Sequence, residues 1–185
     1  MKQEIIRKTL ILLGSSTNGI TGDAKSSRAA NLCEEFVAGA IEENFIAVKW
    51  PFALKRICNI AGVTDNFQKI DGVEDCMKVA VIAPSNLEWY VEANRVYFKG
   101  RKLDAVLYYS GNILQRLLNN DNLIVRQVPE SFKTLASLSL VSHISFAMYT
   151  DSIFADSMKK QYLIKLEETR RLYMHDYNLI NSGEV

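Results

Sequence analysis

The run with the most chemical promise lies near the start of the chain. It is Gly14-Ser15-Ser16-Thr17-Asn18-Gly19, directly after the apolar stretch Leu10–Leu13. Hydroxyls and backbone N–H groups gathered at a helix start can cradle a phosphate. The other reading is a helix end closed by glycine, then a loop. Gly14 and Gly19 have the spacing of a P-loop, but Ile20-Thr21 stands where Lys followed by Ser or Thr is required. The two histidines, His143 and His175, make no metal-ligand pair of recognisable spacing. No Gly-x-Ser-x-Gly turn presents a nucleophile. Cys33, Cys58 and Cys76 are an odd, widely spaced set with no Cys-x-x-Cys, so reduced thiols are expected. Lys49, Lys55 and Arg56 surround Trp50 and Phe52. That mixture can stack single-stranded nucleic acid, but a buried Trp–Phe anchor with solvated basic flanks is more ordinary. With 22 basic against 21 acidic residues, the net charge of +1 gives no general pull on phosphates. No residue is therefore assigned to catalysis, to a cofactor or to a metal, and the chain is expected not to be an enzyme.

The elements behind these residues read as follows. Ile5, Ile6, Thr9, Leu10 and Leu13 fall at helical spacing over 3–13, and Gly14 ends that helix. Asp23 is the expected N-cap of a second helix over 23–45, with Ala29, Cys33, Phe36, Val37, Ala40, Ile41 and Phe45 inward. Arg28, Glu34, Glu35, Glu42 and Glu43 are assigned to its solvent side. Pro51 disfavours a helical Trp50, and Phe52–Arg56 is left between an extended segment and a short helix. Residues 62–72 read as a loop. Over 76–110 four β-branched and aromatic runs follow: Met77–Ile82, Leu87–Val91, Arg95–Phe98 and Leu103–Tyr109. Tight turns between them imply antiparallel pairing.

A short helix at Ile113–Leu118 precedes two long ones, over 129–149 and 151–177. The first opens at Pro129-Glu130 and is apolar nearly all round. Ser137, Ser139, Ser142 and Ser145 on it are small enough for close helix contacts. The second is capped by Asp151 and carries the stripe Phe154, Met158, Tyr162, Leu166, Thr169 and Tyr173, with a Glu167–Arg171 pair outside. Residues 1–185 are thus expected to form one α+β domain, mainly a bundle of about four helices with an inserted antiparallel β-rich arm.

Trp89, Tyr90, Tyr97, Phe98, Tyr108 and Tyr109 give the β-rich segment more aromatic surface than a small lone sheet needs. They are the candidate subunit-interface residues, since aromatics concentrate at interface cores. The N-terminus lacks a signal-peptide pattern, and no apolar run reaches the roughly 20 residues that span a membrane.

Two families offer comparisons. The Gly14–Gly19 loop resembles the phosphate loop of flavodoxin-like proteins, which would imply FMN as a ligand. That fold needs strands and helices in alternation, whereas these strands cluster mid-chain.

The ordered set from Ile5 to Tyr177 resembles the head-to-tail connector, or adaptor, proteins of short-tailed bacteriophages, the tail tubular protein A type. Ala30–Phe36 is similar to that family's second helix, and Trp50-Pro51-Phe52-Ala53-Leu54-Lys55-Arg56 to its tryptophan-centred signature. Trp89–Tyr97 is similar to its β-hairpin, and Leu107-Tyr108-Tyr109 to the close of its β-block. Pro129-Glu130-Ser131-Phe132 resembles the start of its third helix, and Glu167–Met174 with Asp176-Tyr177 the end of its last. The turn Glu92-Ala93-Asn94 departs from the family by lacking glycine, and Pro84 does not align with its usual proline.

The resemblance implies a virion protein at the head–tail junction, assembled in the host cytoplasm. It implies a homo-oligomeric ring, a dodecamer, partnered by the portal protein, the tail nozzle or tubular protein and tail fibres. Packaged DNA would pass through the ring without sequence-specific binding. Trp50 and Phe52 would be core residues of the family signature.

Overall fold

In the helices, burial follows the periodicity of the apolar residues closely, and the exceptions are informative. The computed structural model describes residues 1–14, 24–61, 66–83, 87–100, 102–148 and 152–181. Asp23, Asp151, Pro84 and residues 15–19 of the Gly14–Gly19 loop lie outside them. The chain divides into two compact units, Met1–Val48 with Leu118–Val185, and Lys49–Leu117.

The first unit is helical. It holds α1 (Lys2–Leu12), α2 (Ala24–Ala47), α4 (Asn122–Val125), α5 (Glu130–Met148) and α6 (Ser152–Asn181), with α3 (Gly111–Leu118) falling almost wholly in the other unit. Helix α5 is the hub: it packs against α1, α2 and α6, and α1 also meets α2. This explains why α5 has no polar face through its middle. Ten of its residues are buried, running without interruption from Leu135 to Val141. Ser137 lets α1 approach closely: its hydroxyl donates to the Ile5 carbonyl at 3.3 Å, and Thr9 Oγ1 donates to the Ser137 carbonyl at 3.4 Å. At the start of α5, Phe132 N–H donates to the Pro129 carbonyl, as proline just ahead of a helix allows.

The stripes expected on α1 and α6 are inward. Ile5, Ile6, Thr9, Leu10 and Leu13 are buried, as are Met158, Tyr162, Leu166 and Thr169. Arg171 Nε lies 3.3 Å from Glu167 Oε1, one turn away on the outside of α6. Gly14 takes φ +65, the left-handed conformation that ends α1 without a Cβ penalty. One assignment needs correction: Phe36 on α2, expected inward, is exposed, because it sits just off the arc its helix turns to its neighbours. Glu43 is exposed, as assigned, but its carboxylate also reaches α5 and α6, as described below.

The second unit contains two small antiparallel sheets. It begins well before residue 76, because Leu54–Ala61 forms β1. The other strands are β2 (Gln68–Lys69), β3 (Cys76–Ala83), β4 (Glu88–Glu92), β5 (Arg95–Lys99) and β6 (Lys102–Ser110). One sheet has the order β1-β6-β3 and the other β2-β5-β4. The expected antiparallel runs are present but do not form a simple meander. β3 pairs with β6, and the β4–β5 hairpin lies between them in sequence.

One apolar cluster draws on both sheets, with Val96 and Phe98 from the second and Ile82, Val106 and Tyr108 from the first. Ile70, Val73 and Cys76 complete it. Trp50 stands extended ahead of Pro51 (ψ 124), as a residue before proline should, and is fully buried. Phe52 is half-buried with its ring 6.0 Å from that of Trp50. The basic neighbours Lys55 and Arg56 are exposed, so the anchor reading of this segment holds.

Candidate functional site

Strand order decides which of the six candidate aromatics are available. β5 and β6 are the central strands of their sheets, flanked by a strand on either side. Phe98 on β5 is fully buried, and Tyr108 and Tyr109, on opposite faces of β6, are 1% and 2% exposed. These three are core residues, and the expectation that they meet a neighbouring subunit is corrected. The Tyr108 hydroxyl is spent within the unit, donating to the Gly72 carbonyl at 3.3 Å.

β4 is different. It is the edge strand of its sheet, and all five of its residues are exposed. Residues directly opposite in an antiparallel pair share a face. Trp89 therefore shares a face with Phe98, and Val91 with Val96. Although their partners are buried, Trp89 and Val91 remain 43% and 39% exposed. On the other face Tyr90 stacks on Tyr97, with centroids 5.0 Å apart and planes 8° apart. Phe67 meets the Tyr90 edge at 5.0 Å, also with its own ring exposed. Tyr97 is half-buried by this arrangement. Trp89 and Tyr90 are thus exposed and Tyr97 half-buried, on the two faces of one edge hairpin.

The turn that presents this edge is a two-residue hairpin. Ala93 (φ 46) and Asn94 (φ 60) are both left-handed, the requirement of a type I′ turn whose twist suits paired strands. Glycine is absent, and alanine carries the strain. Lys99 Nζ lies 3.5 Å from Glu88 Oε2, and Arg95 stands opposite Glu92, so charges close both ends of the hairpin.

A second polar cluster went unseen in the sequence. Glu43 on α2 accepts hydrogen bonds from Ser139 Oγ (2.6 Å) and Tyr162 Oη (3.0 Å), and its Oε2 lies 2.9 Å from His143 Nε2. Burial pushes its carboxyl up, but the three hydrogen bonds outweigh it and hold the group below the usual carboxylate range. Burial and the nearby Glu43 raise the Tyr162 phenol in turn. The geometry is that of a clamp on three helices rather than of nucleophilic catalysis. Ser139 gives its proton to the carboxylate, not to the histidine that would have to activate it.

His175 is outside the residues whose side chains are described. Cys33 and Cys76 are buried free thiols, raised by burial to about 12 and about 11, and Cys58 is free and exposed. Among the described residues, no three of His, Cys, Asp and Glu gather where they could hold a metal ion. Among the same residues, no helix is long and apolar enough to cross a membrane. No family model matches the sequence, and no curated protein matches it.

Proposed function

We propose that this chain is a non-enzymatic structural protein of a short-tailed bacteriophage, a subunit of the adaptor ring that joins the capsid portal to the tail. The observation that carries the reading is the β4 edge. A five-residue strand with Trp89, Tyr90 and Val91 at its centre is exposed along its whole length, where proteins that act alone blunt or cover such an edge. Support also comes from the order of elements. Two helices, an inserted antiparallel β unit and two long helices follow one another as the adaptor resemblance implies. The flavin reading needs a parallel sheet wound by alternating helices, and the sheets described here are antiparallel.

In this reading the helical unit supplies a rigid body and the β unit supplies contact between copies. A ring of such copies would seat on the portal, receive the tail nozzle and leave a channel for DNA. Electron microscopy of the purified chain mixed with its cognate portal tests it. A coaxial ring, twelvefold as the resemblance implies, is expected on the portal. Failure to bind portal at any concentration or salt would overturn the reading. The same preparation discriminates the alternative, since a flavin protein would bind added FMN and absorb visible light.

A further inference from the structure

Among the described residues the two sheets of the β unit have four outer strands, and their edges are not alike. The β3 edge is interrupted by register shifts between Cys76 and Lys78 and between Val79 and Val81. Bulges of this kind blunt an edge against further pairing. The β2 edge is two residues long. β1 and β4 remain. Leu54 to Cys58 on β1 pair with β6 in unbroken register, as do all five residues of β4 with β5. Only these two edges are both long and regular enough to template another strand.

Their charges are opposite. β4 reads Glu-Trp-Tyr-Val-Glu, acidic at both ends. β1 begins Leu-Lys-Arg-Ile-Cys, with Lys55, Arg56 and Cys58 exposed. Across the hairpin each acid of β4 already faces a base of β5, Glu88 to Lys99 and Glu92 to Arg95. Glu88 and Glu92 lie four residues apart on one face, and Lys55 and Arg56 are adjacent on opposite faces of β1, so in any one register a base arriving on the outer side would complete one row of base, acid and base. Self-pairing of β4 is disfavoured, because two antiparallel β4 strands centred on Tyr90 would set Glu88 against the partner's Glu92 at both ends.

We infer that the β4 edge of one copy adds to the β1 edge of the next, so that copies join head to tail through strand pairing. Such a contact uses two different patches of the same chain. It therefore leaves a free β1 edge and a free β4 edge at the two ends of any open oligomer and is satisfied only by closure into a ring. Trp89 and Val91, overhanging their own sheet, gain cover from the incoming strand. The inference deepens the adaptor reading and rests on it for the ring.

The native Cys58 thiol lies on the β1 edge and offers a trap. Trp89→Cys, Tyr90→Cys and Val91→Cys would be made one at a time, checked for native circular dichroism, and oxidised at high protein concentration and again on the cognate portal. At least one should yield a disulfide ladder through dimer, trimer and beyond, abolished by adding Cys58→Ser. A product that stops at dimer would mean an isologous contact between β4 strands and would overturn the inference. So would the absence of any ladder in both settings.

Charge exchange is the second arm. Glu88→Lys with Glu92→Lys should abolish the ladder, as should Lys55→Glu with Arg56→Glu. Mixing the two charge-reversed chains should restore it. Failure to restore, or a ladder insensitive to either reversal, would count against pairing of these edges. A portal-bound ring without the ladder would sink the edge pairing and leave the adaptor reading standing. A ladder from a chain that never binds portal would do the reverse.

Discussion

Replacing Glu43 by alanine should loosen the helical unit by about 2 kcal/mol, and the structure says where that figure comes from. Its carboxylate receives Ser139 and Tyr162 hydroxyls at 2.6 and 3.0 Å and the His143 ring at 2.9 Å. Ser139 is fully buried and Tyr162 is 7% exposed, so two donors would lose a charged acceptor in places water reaches poorly. A hydrogen bond to a charged group contributes roughly 1.5–3 kcal/mol, and an orphaned buried donor costs about 1–3 kcal/mol. The Glu43 side chain itself is 40% exposed, which admits water to one side of the cluster and discounts the sum toward its lower end. For a chain of this size about 2 kcal/mol corresponds to a fall in Tm of roughly 4–8 °C.

The assay should separate the two units. Both tryptophans, Trp50 and Trp89, belong to the Lys49–Leu117 unit, so their fluorescence follows the β unit. Circular dichroism at 222 nm follows chiefly the helices. Glu43→Ala should shift the helical transition. Adding Tyr162→Phe should cost less than the two single losses summed, with a coupling above about 0.5 kcal/mol. A Tm within 1 °C of the parent, or strict additivity, would refute the idea that one carboxylate ties α2, α5 and α6 together.

Three further outcomes follow from the same geometry. The Glu43 carboxyl is held below its ordinary value of 4.5, so its contribution is present above that pH and fades as pH falls through the folded value. Urea midpoints of parent and Glu43→Gln should therefore differ at pH 7 and converge in strong acid; an undiminished gap at pH 2.5 would contradict this. Ala93→Asn places a residue tolerant of left-handed backbone where alanine is strained, and should stabilise the β unit by about 0.5–1 kcal/mol in fluorescence-monitored melts. Destabilisation would show that Ala93 is not strained. Trp89→Ala should change folding stability by less than about 1 kcal/mol yet weaken portal-dependent assembly, while Phe98→Ala should cost roughly 3–5 kcal/mol of folding stability. Equal melting losses in both would make Trp89 a core residue.

How far the sequence reached depended on whether the signal was local. Helix α5 was legible because Phe132 to Ile144 is apolar nearly all round, the pattern of a helix buried on more than one side. The hairpin was legible from two β-prone runs around a short turn, read as Glu92-Ala93-Asn94; the structure pairs Glu92 with Arg95 and leaves a two-residue loop. β1 was not: Leu54-Lys55-Arg56-Ile57-Cys58 lacks alternation, because Lys55 lies on the same face as buried partners yet near the sheet's end, where it escapes to solvent. Edge and central strands also read alike. Trp89-Tyr90 and Tyr108-Tyr109 are both aromatic pairs, and only the strand order, which pairs partners tens of residues apart, tells that one pair is exposed and the other is core. Glu43 was out of reach for the same reason, since its partners lie 96 to 119 residues away.

The hydrogen bonds of the two units suggest different roles for their polar residues. In the helical unit, charged and hydroxyl groups turn inward and fasten one helix to the next. Glu43 binds α5 and α6, Lys133 reaches Glu4 at 2.9 Å, and Arg170 Nε donates to the Ala47 carbonyl at 2.9 Å, near the C-terminus of α2 where a cation is favoured. In the β unit the charges of β1 and β4 face outward along strand edges, beside the exposed apolar centre of β4. A sheet that only needed to avoid aggregation would place such charges in the middle of an edge, where they block pairing. Here Glu88 and Glu92 stand at the ends and leave Trp89-Tyr90-Val91 open between them. On the edge pairing inferred above, that placement would admit a strand of the right charge and repel one of the wrong charge, selecting a partner rather than avoiding all of them.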